Sequence, residues 1–256
     1  MMKSYLAATL MSLFTFATAD AGIILNSPAT YNQNFDSLAN TGTSSAMPSE
    51  WEFLETGTAA NSVYNTGTGS DNTGDTYSFG RASSIDRALG GLRSGSLIPT
   101  FGASFTNGAA TSIQSLQIIY EGEQWRLGTT GRVDRLDFQY SLNATALNNG
   151  LWLDHNALDF FTPFTTTAGA TDGNLTANRT PLSSTITGLN LSAGQTLWIR
   201  WNDFDASGSD DGLAIDNFSL TAQFAAVPEP SSIAFIIASG LCTALCKRRR
   251  QPRDRK

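Results

Sequence analysis

Cysteine is missing from the whole middle of this 256-residue chain; its two copies, Cys242 and Cys246, both lie near the C-terminus. Residues 20–230 therefore exclude a disulfide framework, a thiol nucleophile and a cysteine metal site. Lysine is absent from the same stretch, which sets eight arginines against 21 Asp and Glu residues, a net charge of −13. A domain of that sign does not bind nucleic acid through a basic face. It favours cations, and self-repulsion keeps it soluble. His155 is the single histidine, which rules out a histidine-rich zinc site. Neither a Gly-x-Ser-x-Gly elbow nor a phosphate loop occurs. Between the two ends, no helical hydrophobic period persists for three turns, and no internal repeat is present.

What the middle does contain is period-two alternation. Leu116, Ile118 and Tyr120 alternate with polar residues, as do Leu136, Phe138, Tyr140 and Leu142, and Leu197, Ile199 and Trp201. One apolar face and one polar face describe half-buried antiparallel strands. Further strands are expected near Ile23, Phe35, Trp51, Tyr77, Phe101, Ile186 and Ile215. Clusters of Gly, Asn, Ser and Thr separate them, as at 65–74. Many short strands and frequent turns predict an all-β fold over residues 20–223, an antiparallel two-sheet sandwich of jelly-roll or lectin-like type.

The ends differ in character. Met1 to Ala19 has Lys3, an apolar stretch from Tyr5 to Phe16, and small residues at Ala17 and Ala19, the pattern of a secretory signal peptide cut after Ala19 or Ala21. Residues 224–232 form a short linker holding Val227-Pro228-Glu229-Pro230. An uncharged run at 233–246 follows, then a basic end at 247–256 that begins Lys247-Arg248-Arg249-Arg250. As a helix the run reaches about 21 Å. A bilayer core is roughly 30 Å thick, so a spanning helix must recruit its serine and arginine flanks. Basic residues after an apolar run stay cytoplasmic, and prolines before it stop the helix on the other side. The box, run and basic cluster together resemble the PEP-CTERM sorting signal of Gram-negative bacteria. That resemblance implies export, transient anchoring in the inner membrane, and recognition of the Pro-Glu-Pro box by an exosortase. The mature product would stand at the cell surface or outside it.

Tyr77-Ser-Phe-Gly80, Asp86-Arg-Ala-Leu-Gly90, Gly122-Glu-Gln-Trp-Arg126, Ala177-Asn-Arg-Thr180 and Asp211–Leu220 are similar to a domain of secreted bacterial proteins that precedes this kind of tail. It resembles lectin-like and carbohydrate-binding jelly rolls in fold and carries no settled activity.

Three sites suggest themselves. The loop Asp203-Phe-Asp-Ala-Ser-Gly208 has Asp203, Asp205 and Ser207 spaced like the first half of a calcium loop, with Ala214 where an EF-hand needs glutamate. Asp210, Asp211, Asp216 and, by pairing of first and last strands, Asp36 are the other expected ligands of a structural calcium ion. An acidic loop whose aspartates cap their own turns is the competing account. Trp198 and Arg200 fall on the opposite strand face from Leu197, Ile199 and Trp201, so they are the candidate platform for a sugar; Trp51, Trp125 and Trp152 have less certain phase. Tryptophans that fill the core are the alternative. Glu121 and Glu123 stand about 6–7 Å apart along one strand face, near the roughly 5–5.5 Å carboxyl spacing of a retaining glycosidase. A bulge at Gly122 would break that phase, and outward charges paired with arginine are the plainer account. The stretch 132–137 reads as an ion-pair edge, and 153–156 as a turn.

Three functions follow. The first is an exported, non-catalytic surface or matrix protein in a biofilm or exopolysaccharide setting. The second is a calcium-assisted carbohydrate-binding module, and the third a glycoside hydrolase using Glu121 and Glu123.

Overall fold

The computed structural model describes residues 22–226; the signal segment, the Pro-Glu-Pro box, the apolar run and the basic cluster lie outside the described residues. In chain order the strands are β1 (Ile23–Leu25), β2 (Thr30–Gln33), β3 (Thr43–Ser44), β4 (Trp51–Thr56), β5 (Tyr64–Gly67), β6 (Asp75–Phe79), β7 (Ala88–Leu92) and β8 (Ile98–Asn107). They continue with β9 (Ile113–Leu127), β10 (Arg135–Ser141), β11 (Leu153–Asp154), β12 (Phe160–Phe161), β13 (Gly169–Ala170), β14 (Arg179–Ile186), β15 (Thr196–Asp203) and β16 (Gly212–Phe224). Two short 3-10 turns, Asn156–Leu158 and Thr176–Asn178, are the helical elements among the described residues. No helix there is long and apolar enough to cross a membrane.

The strands form two sheets, as the alternation predicts. A seven-stranded sheet runs β1-β8-β15-β10-β11, with β4 on β8 and β12 on β10. A nine-stranded sheet runs β13-β9-β16-β7-β6-β5-β3, with β14 on β9 and β2 on β16. Almost every pairing is antiparallel; β1 with β8 and β5 with β6 are parallel. The strands that face each other across the core alternate as period two requires. Leu116, Ile118 and Tyr120 of β9 are buried, as are Phe101, Ala103 and Phe105 of β8 and Leu197, Ile199 and Trp201 of β15. Trp201 sits at the centre of the aromatic core. It stacks on Phe101 at 6.0 Å and Trp51 at 6.1 Å, and meets Tyr120 and Phe138 edge-on at 5.2 Å each. Burying each such ring stabilises the sandwich by about 2–3 kcal/mol before entropy is counted.

Two smaller apolar clusters lie on the outer faces. Tyr77, Phe79, Ala88, Leu92, Trp125 and Ala214 cover the nine-stranded sheet. Ala144, Leu147 and Trp198, with Leu54 and Trp152 against them, cover the seven-stranded sheet. Gly90 makes the first possible: a Cβ there would stand 2.1 Å from the Leu213 carbonyl oxygen and 2.6 Å from the Ala214 Cα.

The strand expected near Phe35 is β2, and Phe35 itself, fully buried, begins the turn just after it with φ 56. Two local expectations need correction. Leu142 falls beyond the end of β10 and is 46% exposed. Residues 153–154 extend and pair with β10 before the 3-10 turn, instead of forming a simple turn.

Candidate functional site

The expected calcium ligands do not come together. The nine-stranded sheet divides them, because side chains alternate across a strand. Asp203 ends β15 opposite Leu136, so it points between the sheets. Asp216 on β16 follows Ile215, which is core, and so points outward with Ala214. Two separate acidic clusters result.

The inner cluster gathers Asp203, Asp210 and Asp211 around Asp134, a residue whose segment reads in the sequence as an unremarkable ion-pair edge. Asp134, Asp203 and Asp211 are fully buried. Asp134 Oδ2 accepts the Asp211 N–H at 2.9 Å, and its Oδ1 accepts the Arg135 N–H at 2.8 Å. Arg132 lies between two carboxylates, with Nη1 3.1 Å from Asp134 and Nη2 3.5 Å from Asp211. Asp211 also accepts the Gly128 N–H at 2.7 Å, and Asp210 the Ala206 N–H at 3.1 Å. Asp203 accepts the Arg93 N–H at 3.1 Å, while the Arg93 guanidinium reaches the Asp203 carbonyl at 3.0 Å and Asp205 at 3.2 Å. Asp205 is 74% exposed and Ser207 is exposed. The loop's carboxylates are thus largely engaged by backbone N–H groups and two arginines; Asp210 caps its own turn, whereas Asp203 and Asp211 bond N–H groups of distant segments. Burial pushes Asp210 and Asp211 up to about 6 each, with Asp134 adding to both. Burial, then Asp134 and Asp210, drives Asp203 well above the usual carboxylate range.

The outer cluster holds Asp36, Asp86, Glu121, Glu123 and Asp216. On β9, Glu121 and Glu123 keep one phase, and Gly122 is not a bulge. It is the place where Phe160 packs on the strand, since a Cβ would lie 2.2 Å from that ring. One bulge is on the neighbouring strand, at Asn217 with φ 49, where the register moves from Asp216↔Glu121 to Ser219↔Ile119, and another leaves Trp125 of β9 between Leu213↔Gln124 and Gly212↔Arg126. Glu123 is 1% exposed and accepts the Trp125 indole N–H at 2.9 Å. Glu121 accepts from Arg179 at 3.0 Å and from the Asn217 amide at 3.2 Å. A glycosidase needs both carboxyls open to one substrate, and a buried Glu123 beside an arginine-paired Glu121 does not offer that. Asp36 accepts the Arg87 N–H at 3.2 Å and Asp86 accepts the Asn174 amide at 2.6 Å. Burial first, then Asp86 and Glu121, raises Glu123 to about 7. Burial first, then Glu123, Asp86 and Asp36, raises Asp216 to about 8.

The residues expected to form a sugar platform lie on the outer face of the seven-stranded sheet, with one correction. Trp198 does point away from the core, but it is only 5% exposed, because the segment 142–152 folds over it. A strand phase cannot report such a cover. Arg200 is held from both sides. Its Nε donates to Gln139 at 2.8 Å, its Nη1 to the Leu147 carbonyl at 2.6 Å, and its guanidinium lies 4.0 Å over the Trp152 ring. Gln139 in turn donates to Asp154 at 2.7 Å. This strip of planar groups leads to a cleft of about 360 Å³ lined by Arg135, Asp137, Asp154, Asn156, Asp159 and Phe161. Phe161 is 49% exposed and pairs with Arg135 across β10 and β12. Arg135 is ion-paired with Asp137 and stacks on Phe204 at 3.7 Å. Trp51 is a core residue and Trp125 belongs to the outer apolar cluster. His155 bonds Ser184 at 2.9 Å.

Asp134, Asp86 and Phe161 carry no mark of a site in the sequence, because each acquires its neighbours from a distant strand.

No family model and no curated protein matches the chain. Solved structures that resemble it include TmCBM61 in complex with β-1,4-galactotriose, at 9% identity and TM-score 0.34 over 67% of this chain and 88% of that one. The K3 cleaved adhesin domain of Lys-gingipain from Porphyromonas gingivalis matches at 12% identity and TM-score 0.40, over 68% and 92%. A CBM4 structure matches at 12% identity and TM-score 0.31, over 67% and 94%. Likeness at this level assigns no ligand to this chain.

Proposed function

We propose that the chain is an exported, non-catalytic carbohydrate-binding module of lectin-like type, working in a surface or extracellular polysaccharide matrix. The observation that carries this reading is the cleft beside Phe161. A half-exposed flat ring adjoins carboxylate, amide and guanidinium groups that already fix one another. Pyranose rings offer an apolar face for stacking and edge hydroxyls for bidentate hydrogen bonds, and this cleft presents a partner for each. Orientation by mutually bonded side chains lowers the ordering cost on binding. Arg200 and Trp152 extend the same surface, so the Trp198–Arg200 platform becomes a Trp152–Arg200 platform with Trp198 as its foundation.

Delivery belongs to the ends of the chain. The Pro-Glu-Pro box at 228–230, the apolar run and the basic cluster are the features an exosortase and an inner membrane would meet. The signal segment is the route out of the cytoplasm. The net charge of −13 over residues 20–230 argues against nucleic acid as a partner.

A panel of neutral and acidic polysaccharides, measured by affinity electrophoresis, tests the reading. Phe161→Ala is expected to weaken binding at least tenfold, the scale of a buried aromatic anchor, without lowering the melting temperature. Retention by no polysaccharide would leave the surface-matrix role without a sugar ligand.

A further inference from the structure

The outer acidic cluster has one guanidinium ion-paired to it where the inner one has two. Two of its oxygens, Glu123 Oε1 and Asp216 Oδ1, are buried without any hydrogen-bond partner. Their residues are 1% and 4% exposed. Cross-strand register sets Asp216 directly opposite Glu121, with Glu123 on the same face two residues along. Like charges facing each other across a ladder are destabilising. The guanidinium on this cluster, Arg179, goes to Glu121. Arg87, whose backbone N–H holds Asp36, sends its guanidinium to Ser78 instead, and burial lowers its basicity.

We propose that Glu123 and Asp216, closed over by Asp86 and Asp36, form a calcium site on the outer face of the nine-stranded sheet. This places the ion away from the 203–211 loop to which the sequence points, and it stands independently of the carbohydrate reading. Calcium accepts six to eight oxygens in a flexible shell. Buried Glu123 and Asp216 supply the fixed floor. Asp86 is half-buried and Asp36 exposed; on turning inward each would exchange its present bond, to the Asn174 amide and to the Asn34 amide and Arg87 N–H, for the ion, and water completes the shell. Among the described residues no three carboxylates already stand in a closed metal-binding group; the cage is completed by that inward turn. A cation would satisfy both orphaned oxygens and offset the repulsion between Asp216 and Glu121. Protons compete for the same oxygens, since burial first raises both carboxyls, with Asp86 and Glu121 adding at Glu123 and Glu123 adding at Asp216. The charged groups facing them are Glu121 and Arg179 from β9 and β14, and Asp86 and Asp36 from the loops before β7 and after β2.

The test uses the purified full-length chain, stripped of cations and titrated with calcium alone by calorimetry, with magnesium as the comparison ion. One equivalent of calcium is expected to bind and raise the melting temperature. It should also change tryptophan fluorescence, a change lost in Trp125→Phe, because that indole bonds Glu123. Asp216→Asn should weaken calcium binding at least 100-fold while leaving the calcium-free protein folded and no less stable. Asp203→Asn should leave calcium binding unchanged. Should Asp216→Asn fail to fold, Glu123→Gln, which keeps an acceptor for Trp125, gives the same reading. Full calcium affinity in the folded variant, loss of affinity in Asp203→Asn, or no binding at millimolar calcium would each overturn the site.

Discussion

The two acidic clusters are built from the same residue types and are neutralised by opposite means. Between the sheets, Asp134 and Asp211 share Arg132, Asp203 is capped by Arg93, and backbone N–H groups take up most remaining oxygens. On the outer face, one arginine is spent on Glu121 while Glu123 and Asp216 each keep a buried oxygen with no partner. Buried charge is tolerated where fixed donors surround it and is a liability where they do not. The first arrangement is therefore a structural joint tying β10, β15 and β16 together. The second is the one proposed to take a cation.

Removing Arg132 should break the comparison hardest. Arg132→Met leaves Asp134 and Asp211 buried without their shared cation, a loss of about 3–5 kcal/mol. The midpoint of urea unfolding reads it, and a loss below about 1 kcal/mol would show the inner cluster to be as uncompensated as the outer.

The pH dependence of stability separates the clusters by position. Asp216 is raised from 3.8 to about 8 and Glu123 from 4.5 to about 7 in the folded protein. A raised folded value means the folded form holds its proton more tightly than the unfolded chain. The stability this gives is present in full below about pH 4 and is lost as pH climbs through 7 and 8. Without calcium, stability should fall by something on the order of 2 kcal/mol between pH 5 and pH 8.5. Asp216→Asn should remove the step nearest pH 8 and spare the one nearest pH 6, which belongs to Asp210 and Asp211. A melting temperature that is flat across this range would erase the distinction.

The smallest effect is expected at Asp203. Its Oδ1 is buried and unpartnered, and its charge is opposed by Asp134 and Asp210. Asp203→Asn should therefore change stability by less than about 1 kcal/mol, since relief of repulsion offsets the altered bond to Arg93. A loss of several kcal/mol would mean that Arg93 depends on that carboxylate as Arg132's partners depend on Arg132.

Much of the sandwich was legible in the residues, because a half-buried strand must alternate. Leu116–Tyr120, Leu136–Tyr140 and Leu197–Trp201 all lie in strands with the expected faces. Phe35 was not legible, because a buried aromatic in a tight turn has the same local pattern as one in a strand. The candidate sites were legible as composition and misread as groupings. Asp36 and Asp216 lie in one region because the second strand, β2, pairs with the last, β16; the first strand pairs with β8 instead. Asp203 does not join them, because the phase of two different strands decides which side of a sheet a carboxylate occupies.

The chain's sequence by itself determined the two-layer β architecture, the acidic and cysteine-free middle, and the outward phase of Trp198 and Arg200. These depend on side-chain period and charge count, which are local quantities. Only the tertiary structure decided that Trp198 is roofed by residues 142–152, that Phe161 opens a cleft, and that Asp134 holds one cluster while Glu123 completes another. Each of those facts requires two distant strands to be set at a particular register, and register is fixed by the packing of the whole core.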